Sequence, residues 1–199
     1  MTYQKALTYL QTVSPLRITL SGEIGAGKST FGTLLAEALG MPRIYVGQLM
    51  REEAQRRNLS LDEFNTLLET DDSVDRELDA LQQQAARVTP RGLFEGRTSW
   101  HFVEEPDVRV FLTVDPQVAA QRVFDDTNNP LRDTYRSVDE IIKANTKRKN
   151  NEIKRYEGYY GIDVYNPANF DLVIDTTHTD AKKTLEQGVI VIAEFLKKH

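Results

Sequence analysis

The stretch Gly22-Glu23-Ile24-Gly25-Ala26-Gly27-Lys28-Ser29-Thr30 carries the sharpest chemical signal in the chain. It fits G-x-x-x-x-G-K-[ST], a spacing in which backbone N–H groups of a Gly-rich loop wrap the phosphates of a nucleoside triphosphate. Lys28 would reach the β- and γ-phosphates, and the Ser29 hydroxyl would hold Mg²⁺. A Gly-rich turn that merely reverses the chain is the bland alternative. It does not require a strand-like Leu16-Arg17-Ile18-Thr19-Leu20 before the motif and a helix-like Ser29 to Leu39 after it. The motif needs both, because the helix N-terminus completes the anion site.

Other charged residues stand where a second phosphate could be held. Arg51 follows the strand-like Arg43-Ile44-Tyr45-Val46, and Arg97 follows Gly92-Leu93-Phe94-Glu95. A planar guanidinium binds phosphate bidentately, so both are candidates for a second phosphoryl ligand. For Arg51, beside Glu52 and Glu53, a surface salt bridge is the competing reading. Glu95 is the candidate for the Mg²⁺ side, with an ion pair to Arg97 as a compatible alternative. A second basic cluster comprises Arg122, Arg132, Arg136, Lys143, Lys147, Arg148, Lys149, Lys154 and Arg155. Lys143, Lys147, Lys149 and Lys154 read as a solvated helix face. Arg148 and Arg155 lie seven residues apart, hence on one helix face, and with Arg122 beside the hinge they could close over the donor phosphates.

Positioning these groups requires alternating elements. The pattern predicts an N-terminal helix over Lys5 to Val13 and strands at Leu16–Leu20, Arg43–Val46, Gly92–Glu95, Val108–Val114 and Asp171–Asp175. Helices are predicted over Ser29–Leu39, Gln48–Arg57, from Ser60 with Glu63 as a capping box, and over Ser73–Arg87. Further helices are predicted over Pro116–Phe124, Ser137–Tyr156 and Thr179–Lys198. Strands interleaved with helices mean a parallel α/β sheet, with ligands at the carboxyl ends of its strands.

Composition sets the outer limits. At 199 residues, with 40% hydrophobic and 28% charged residues, the chain is long enough for one buried core. A formal net charge of −5 argues against a general nucleic-acid surface, which needs excess Lys and Arg. The absence of cysteine excludes disulfides and thiolate-bound zinc. No apolar run reaches membrane-spanning length. The expectation is a cytoplasmic monomer with no membrane or nucleic-acid-polymer partner.

The chain resembles the small nucleoside monophosphate kinases, and within them the archaeal-type cytidylate kinases. The likeness covers nearly everything after Pro15. It rests on the P-loop, Gly47-x-x-Met50-Arg51, Asp71 to Asp79, Glu95-Gly96-Arg97, Arg148 through Arg155-Tyr156, Tyr160-Gly161-Ile162-Asp163 and Asp171-Leu172-Val173-Ile174-Asp175-Thr176. The resemblance implies a three-layer P-loop NTPase fold, with a five-stranded parallel sheet of order 2-3-1-4-5. It implies one domain, with an NMP-binding insert over about 48–90 and a LID over about 125–165. It also implies ATP, Mg²⁺ and CMP or dCMP as ligands, Arg51 and Arg97 on the acceptor phosphate, and Asp75 near the acceptor nucleotide. Asp75, Arg76, Asp79 and Gln83 are candidates for reading the base. The chain departs from the family pattern at Glu23-Ile24, at Thr98-Ser99, at Lys149-Asn150-Asn151 and in its N-terminal helix. Two alternatives stay open at this level: another small-molecule kinase on the same fold, and a nucleotide-binding regulatory module.

Overall fold

In the computed structural model, which describes residues 1–68, 73–126 and 135–199, five strands form one parallel sheet. They are β1 (Leu16–Gly22), β2 (Arg43–Tyr45), β3 (Arg91–Glu95), β4 (Val108–Thr113) and β5 (Leu172–Asp175), in the order β2-β3-β1-β4-β5. The pairing Leu20↔Glu95 and Gly22↔Leu112 brings the carboxyl ends of the three central strands together. The chain leaves β1 towards β2 on one side and crosses from β3 to β4 on the other, so the crevice opens where β1 ends.

Strand alternation builds the layers. Leu93, Val110 and Leu112 face a core shared with α1 (Tyr3–Thr12), α2 (Lys28–Leu39) and α9 (Ala181–Leu196). Their neighbours Phe94 and Phe111 point the other way, as the two-residue period requires. Phe94 joins Ala86 of α5 (Ser73–Val88), and Phe111 joins Tyr156 of α8 (Val138–Tyr160). The result is a helix–sheet–helix sandwich. Between β2 and α5 come α3 (Val46–Arg56) and α4 (Leu61–Leu68), which with α5 enclose a satellite core of Val46, Ala54, Phe64 and Leu78.

Local chemistry sets the helix ends. Ser60 and Glu63 form the expected reciprocal capping box, with Ser60 N–H donating to Glu63 and Glu63 N–H to Ser60 Oγ. Asp115 caps α7 (Pro116–Asp125), which has Pro at its first position, and Ser137 and Asp180 cap α8 and α9. Gly161 stops α8 in the left-handed region at φ 68°, one turn beyond the predicted end at Tyr156. The sequence pattern did not predict α6 (Ser99–Phe102) or the 3₁₀ turn at Pro167–Asn169. Each is too short to display a period.

The N-terminal helix is part of the core: Ala6 and Leu10 are fully buried beside Leu16, Val189 and Ile192. Arg91, at the start of β3, fastens it further. Its guanidinium donates to Leu10 O and Val13 O of α1 and to Leu39 O and Gly40 O of α2, serving the carbonyls that both helix ends leave over. Among the described residues, no helix is long and apolar enough to cross a membrane.

Candidate functional site

The loop from Gly22 to Gly27 turns directly from β1 into α2. Gly25 and Gly27 have φ of 81° and 79°, and a Cβ on Gly22 would overlap the Leu112 backbone, so the loop hugs β4. Gly27 is the N-cap of α2 and offers no side chain to its first N–H groups. Those donors and the positive end of the helix dipole remain for an anion. Ser29 and Thr30 are exposed at this end. Lys28 Nζ folds back onto the loop, donating to Gly22 O at 3.1 Å and Glu23 O at 2.9 Å. Burial, and next the charge of Arg97, hold its ammonium well below the ordinary lysine range.

Arg97 arrives from the end of β3 and donates through Nη1 to the same Gly22 carbonyl. Its Nε donates to Glu152 Oε2 at 2.7 Å. Glu152 also accepts from Arg148 Nε at 2.9 Å and from the Tyr165 hydroxyl. Burial by itself would push the Glu152 carboxyl up, but the Arg97 and Arg148 guanidiniums outweigh it and hold it well below the usual carboxylate range. Arg97 is 13% exposed, Glu152 8% and Arg148 49%, so the cluster runs from the interior out to solvent. Sequence reasoning missed Glu152 and Tyr165. For Glu152 a signal was present, since Arg148 and Glu152 have the i, i+4 spacing of a helical ion pair.

Glu95 does not pair with Arg97. It is 1% exposed, and its Oε2 accepts from Arg43 Nε at 2.9 Å and Nη2 at 2.6 Å. Arg43 also donates to Ser29 Oγ at 3.2 Å and Thr33 Oγ1 at 3.0 Å, which ties Glu95 to the start of α2. The helix can approach because position 32 is Gly; a Cβ there would collide with Glu95 Oε2. Glu95 Oε1 is buried with no partner. Such an orphaned carboxylate oxygen, linked through Arg43 to the Ser29 hydroxyl, fits water bound to a hard divalent cation. Among the described residues no cluster of three His, Cys, Asp or Glu forms a metal cage. Arg51 belongs to the same chain of contacts: it donates to the Tyr45 hydroxyl at 3.3 Å, and Arg43 and Arg51 both lie over the Tyr45 ring.

On the β3 side of the crevice, a buried polar layer joins α5 to α6. Thr98 Oγ1 donates to Asp79 Oδ1 at 2.8 Å, Tyr160 donates to Asp79 Oδ2 at 2.6 Å, and Gln82 Nε2 donates to Ser99 Oγ at 2.6 Å. Burial pushes the Asp79 carboxyl above its usual value, against the two hydroxyl donors. The buried amide is Gln82, whose Oε1 has no partner; Gln83, the sequence candidate, is only partly buried. The Thr98-Ser99 departure from the family pattern is thus matched by partners on α5. Asp75 lies on α5, but its side chain is outside the described residues, as are Asp71, Asp72 and Arg132.

Two other candidates lie outside the Arg97–Glu152–Arg148 cluster. Arg122 donates to the carbonyls of Thr176, Thr177 and Thr179, clasping the turn after β5. Arg155 donates to the Tyr156 hydroxyl at 3.1 Å and lies over its ring, and its charge acts on Asp79. Lys149 corrects an expectation. Instead of standing on a solvated face, its Nζ lies 2.8 Å and 3.1 Å from the Glu23 carboxylate oxygens and 4.8 Å from the centre of the Tyr165 ring. Glu23 and Lys149, two departures from the family pattern, face each other.

Similarity to known proteins agrees with this architecture. The chain is 37% identical to a cytidylate kinase of Methanocella arvoryzae over 165 residues, 83% of this chain and 90% of that one. It is 30% identical to a cytidylate kinase of Archaeoglobus fulgidus over 184 residues, 92% of this chain and 97% of the other. Among solved structures, shikimate kinase from Bacteroides thetaiotaomicron superposes with a TM-score of 0.61, covering 92% of this chain and 98% of that one, at 19% identity. At that identity the likeness is one of fold. Residues 17–178, which contain the P-loop, Glu95, Arg97, Glu152 and the turn after β5, match the cytidylate kinase-like family, and the chain belongs to that family.

Proposed function

We propose that the protein is an ATP-dependent (d)CMP kinase, transferring the γ-phosphoryl group of ATP to CMP or dCMP. A phosphate oxygen of the acceptor bonds to the γ-phosphorus as the bond to the β,γ-bridging oxygen breaks, giving CDP or dCDP and ADP. The observation that carries this reading is the convergence of Lys28 and Arg97 on the carbonyl of Gly22. One cation comes from the donor loop and the other from the strand end assigned to the acceptor. Phosphates held by each would therefore meet at one point, the arrangement that in-line transfer needs.

The roles follow from position. The Gly22–Thr30 backbone and Lys28 bind the triphosphate. Arg97 and Arg51 hold the acceptor phosphate, and Arg148 gathers charge on the moving group as it leaves the donor. Ser29 and Glu95 are the residues to hold Mg²⁺, Glu95 through water, and when bound the ion neutralises phosphate charge. Helices α3, α4 and α5 form the acceptor insert of about residues 48–90. Helix α8 belongs to a lid of about 125–165 that excludes water, of which residues 127–134 lie outside the described residues. Asp79 and Gln82 are the base-side polar groups, and a site of that kind rejects a mismatched base because its own buried groups go unpaired. Arg122 of α7, clasping the turn after β5, borders the donor nucleoside, and Arg155 adds positive charge on the Asp79 side of the lid. The protein acts as a cytoplasmic monomer. Coupled ADP release with ATP and a panel of acceptors tests the reading. CMP and dCMP should exceed AMP, GMP, shikimate and gluconate at least tenfold in kcat/KM; a better non-nucleotide acceptor would overturn the assignment.

A further inference from the structure

The ion pair between Glu23 and Lys149 bridges elements 126 positions apart in sequence. Glu23 sits inside the phosphate loop, anchored by its own N–H on Leu112 O at 2.8 Å. Lys149 follows Arg148 on α8 and reaches both carboxylate oxygens of Glu23. Its ammonium also lies over Tyr165, the ring that Arg97 covers at a similar distance of 4.8 Å. The contact thus runs beside the Arg97–Glu152–Arg148 cluster, shares Tyr165 with it, and touches the loop itself.

From this geometry we infer that Glu23 and Lys149 are positioning residues for phosphoryl transfer, acting as a latch that seats α8 on the donor loop. The inference rests on the donor-site reading of that loop. The physical reason is twofold. A carboxylate at the mouth of a phosphate cradle repels a polyanion unless a cation neutralises it. The same cation, being on α8, fixes where Arg148 stands relative to the γ-phosphate. Lys149 is 36% and Glu23 25% exposed, so the pair is partly screened and its effect is moderate. Neither residue needs to touch the reacting atoms.

The arrangement makes an asymmetric prediction. Lys149→Met leaves the Glu23 charge bare beside the triphosphate, whereas Glu23→Gln removes latch and repulsion together. Lys149→Met should therefore raise the KM for ATP about fivefold, the size expected of a partly exposed pair. Glu23→Gln should raise it less, and Glu23→Gln/Lys149→Met should be no worse than Lys149→Met. ATP hydrolysed without acceptor should increase in the single variants, because a loosely seated α8 admits water, while thermal unfolding stays at the parental temperature.

The experiment is a double-mutant cycle on the full-length protein, reading KM and kcat for ATP with CMP, acceptor-free ATP hydrolysis and melting temperature. Non-additive effects on KM, with raised hydrolysis and flattened salt dependence, support the latch. Independent, multiplicative effects, or an unchanged KM in folded Lys149→Met, overturn it. A parental protein that consumes no ATP with any acceptor would instead sink the donor-site reading, so the two failures are separable.

Discussion

Removing the Glu152 carboxylate should cost more stability than its place in a long, mostly polar helix would suggest. The side chain is 8% exposed and receives hydrogen bonds from Arg97, Arg148 and Tyr165. Glu152→Ala leaves Arg97, itself 13% exposed, without its counter-charge. Breaking one partner out of a buried ion pair costs about 3–5 kcal/mol, a large share of the roughly 5–15 kcal/mol that holds a domain folded. Glu152→Gln keeps the shape and an acceptor oxygen but loses the charge, for about 1.5–3 kcal/mol. Urea unfolding followed by the fluorescence of Trp100, the chain's one tryptophan, measures both. The pH dependence supplies a second check. Because the folded-state pKa of Glu152 is depressed, the unfolded state binds its proton more readily. The charge-dependent stability is therefore fully present above the ordinary glutamate pKa of about 4.3 and is lost as pH falls below it towards the folded-state value. The gap between the parental protein and Glu152→Gln should narrow in acid. A cost below about 1 kcal/mol for Glu152→Ala, or a gap that widens on acidification, would refute the reasoning.

Three further outcomes are expected. Lys28→Ala should keep its circular dichroism spectrum and lose roughly a hundredfold or more in kcat, since an ammonium aimed at transition-state charge is worth several kcal/mol; undiminished turnover in a folded variant would remove it from the chemistry. Arg51→Ala should raise the KM for the acceptor by about ten- to a hundredfold while leaving ATP affinity unchanged in titration calorimetry, because a charged hydrogen bond contributes about 1.5–3 kcal/mol and Arg51 rests on Tyr45 rather than on the loop itself; equal weakening of both ligands would show the pockets are wrongly divided. Arg91→Met should lower unfolding stability by about 1–3 kcal/mol through the helix-end carbonyls it abandons, with kcat and both KM values intact; a kinetic defect would mean that the far end of the sheet reaches the site.

Local chemistry was legible and distant pairing was not. The P-loop, the Ser60–Glu63 box and the strand order implied by the family resemblance all appear in the structure, because each is written in contiguous residues or in a whole-chain likeness. The boundary of α8 could have been read from Gly161, a residue suited to the left-handed C-cap, but the polar run hid it. Glu95 illustrates the limit. Two residues from Arg97 in sequence, it turns instead to Arg43, 52 positions away, because the sheet places β2 beside β3. Lys149 looked like a solvated lysine because its partner lies in another element. Gln82, not Gln83, is buried because α5 turns that face towards α6; a one-residue change in helical phase is decided by packing, which spacing alone does not fix.

The shared Gly22 carbonyl has a consequence for the end of the catalytic cycle. On the proposed reading, product release requires Lys28 and Arg97 to let go of phosphate, and a buried charge abandoned by its partner is costly. Here both have somewhere to go: Lys28 and Arg97 can each fall back onto one backbone oxygen that belongs to the loop itself. On that reading the oxygen would serve both cations as a resting berth, given up when phosphate binds. A departing nucleotide would then be replaced rather than torn away, which would favour quick exchange where release limits the rate.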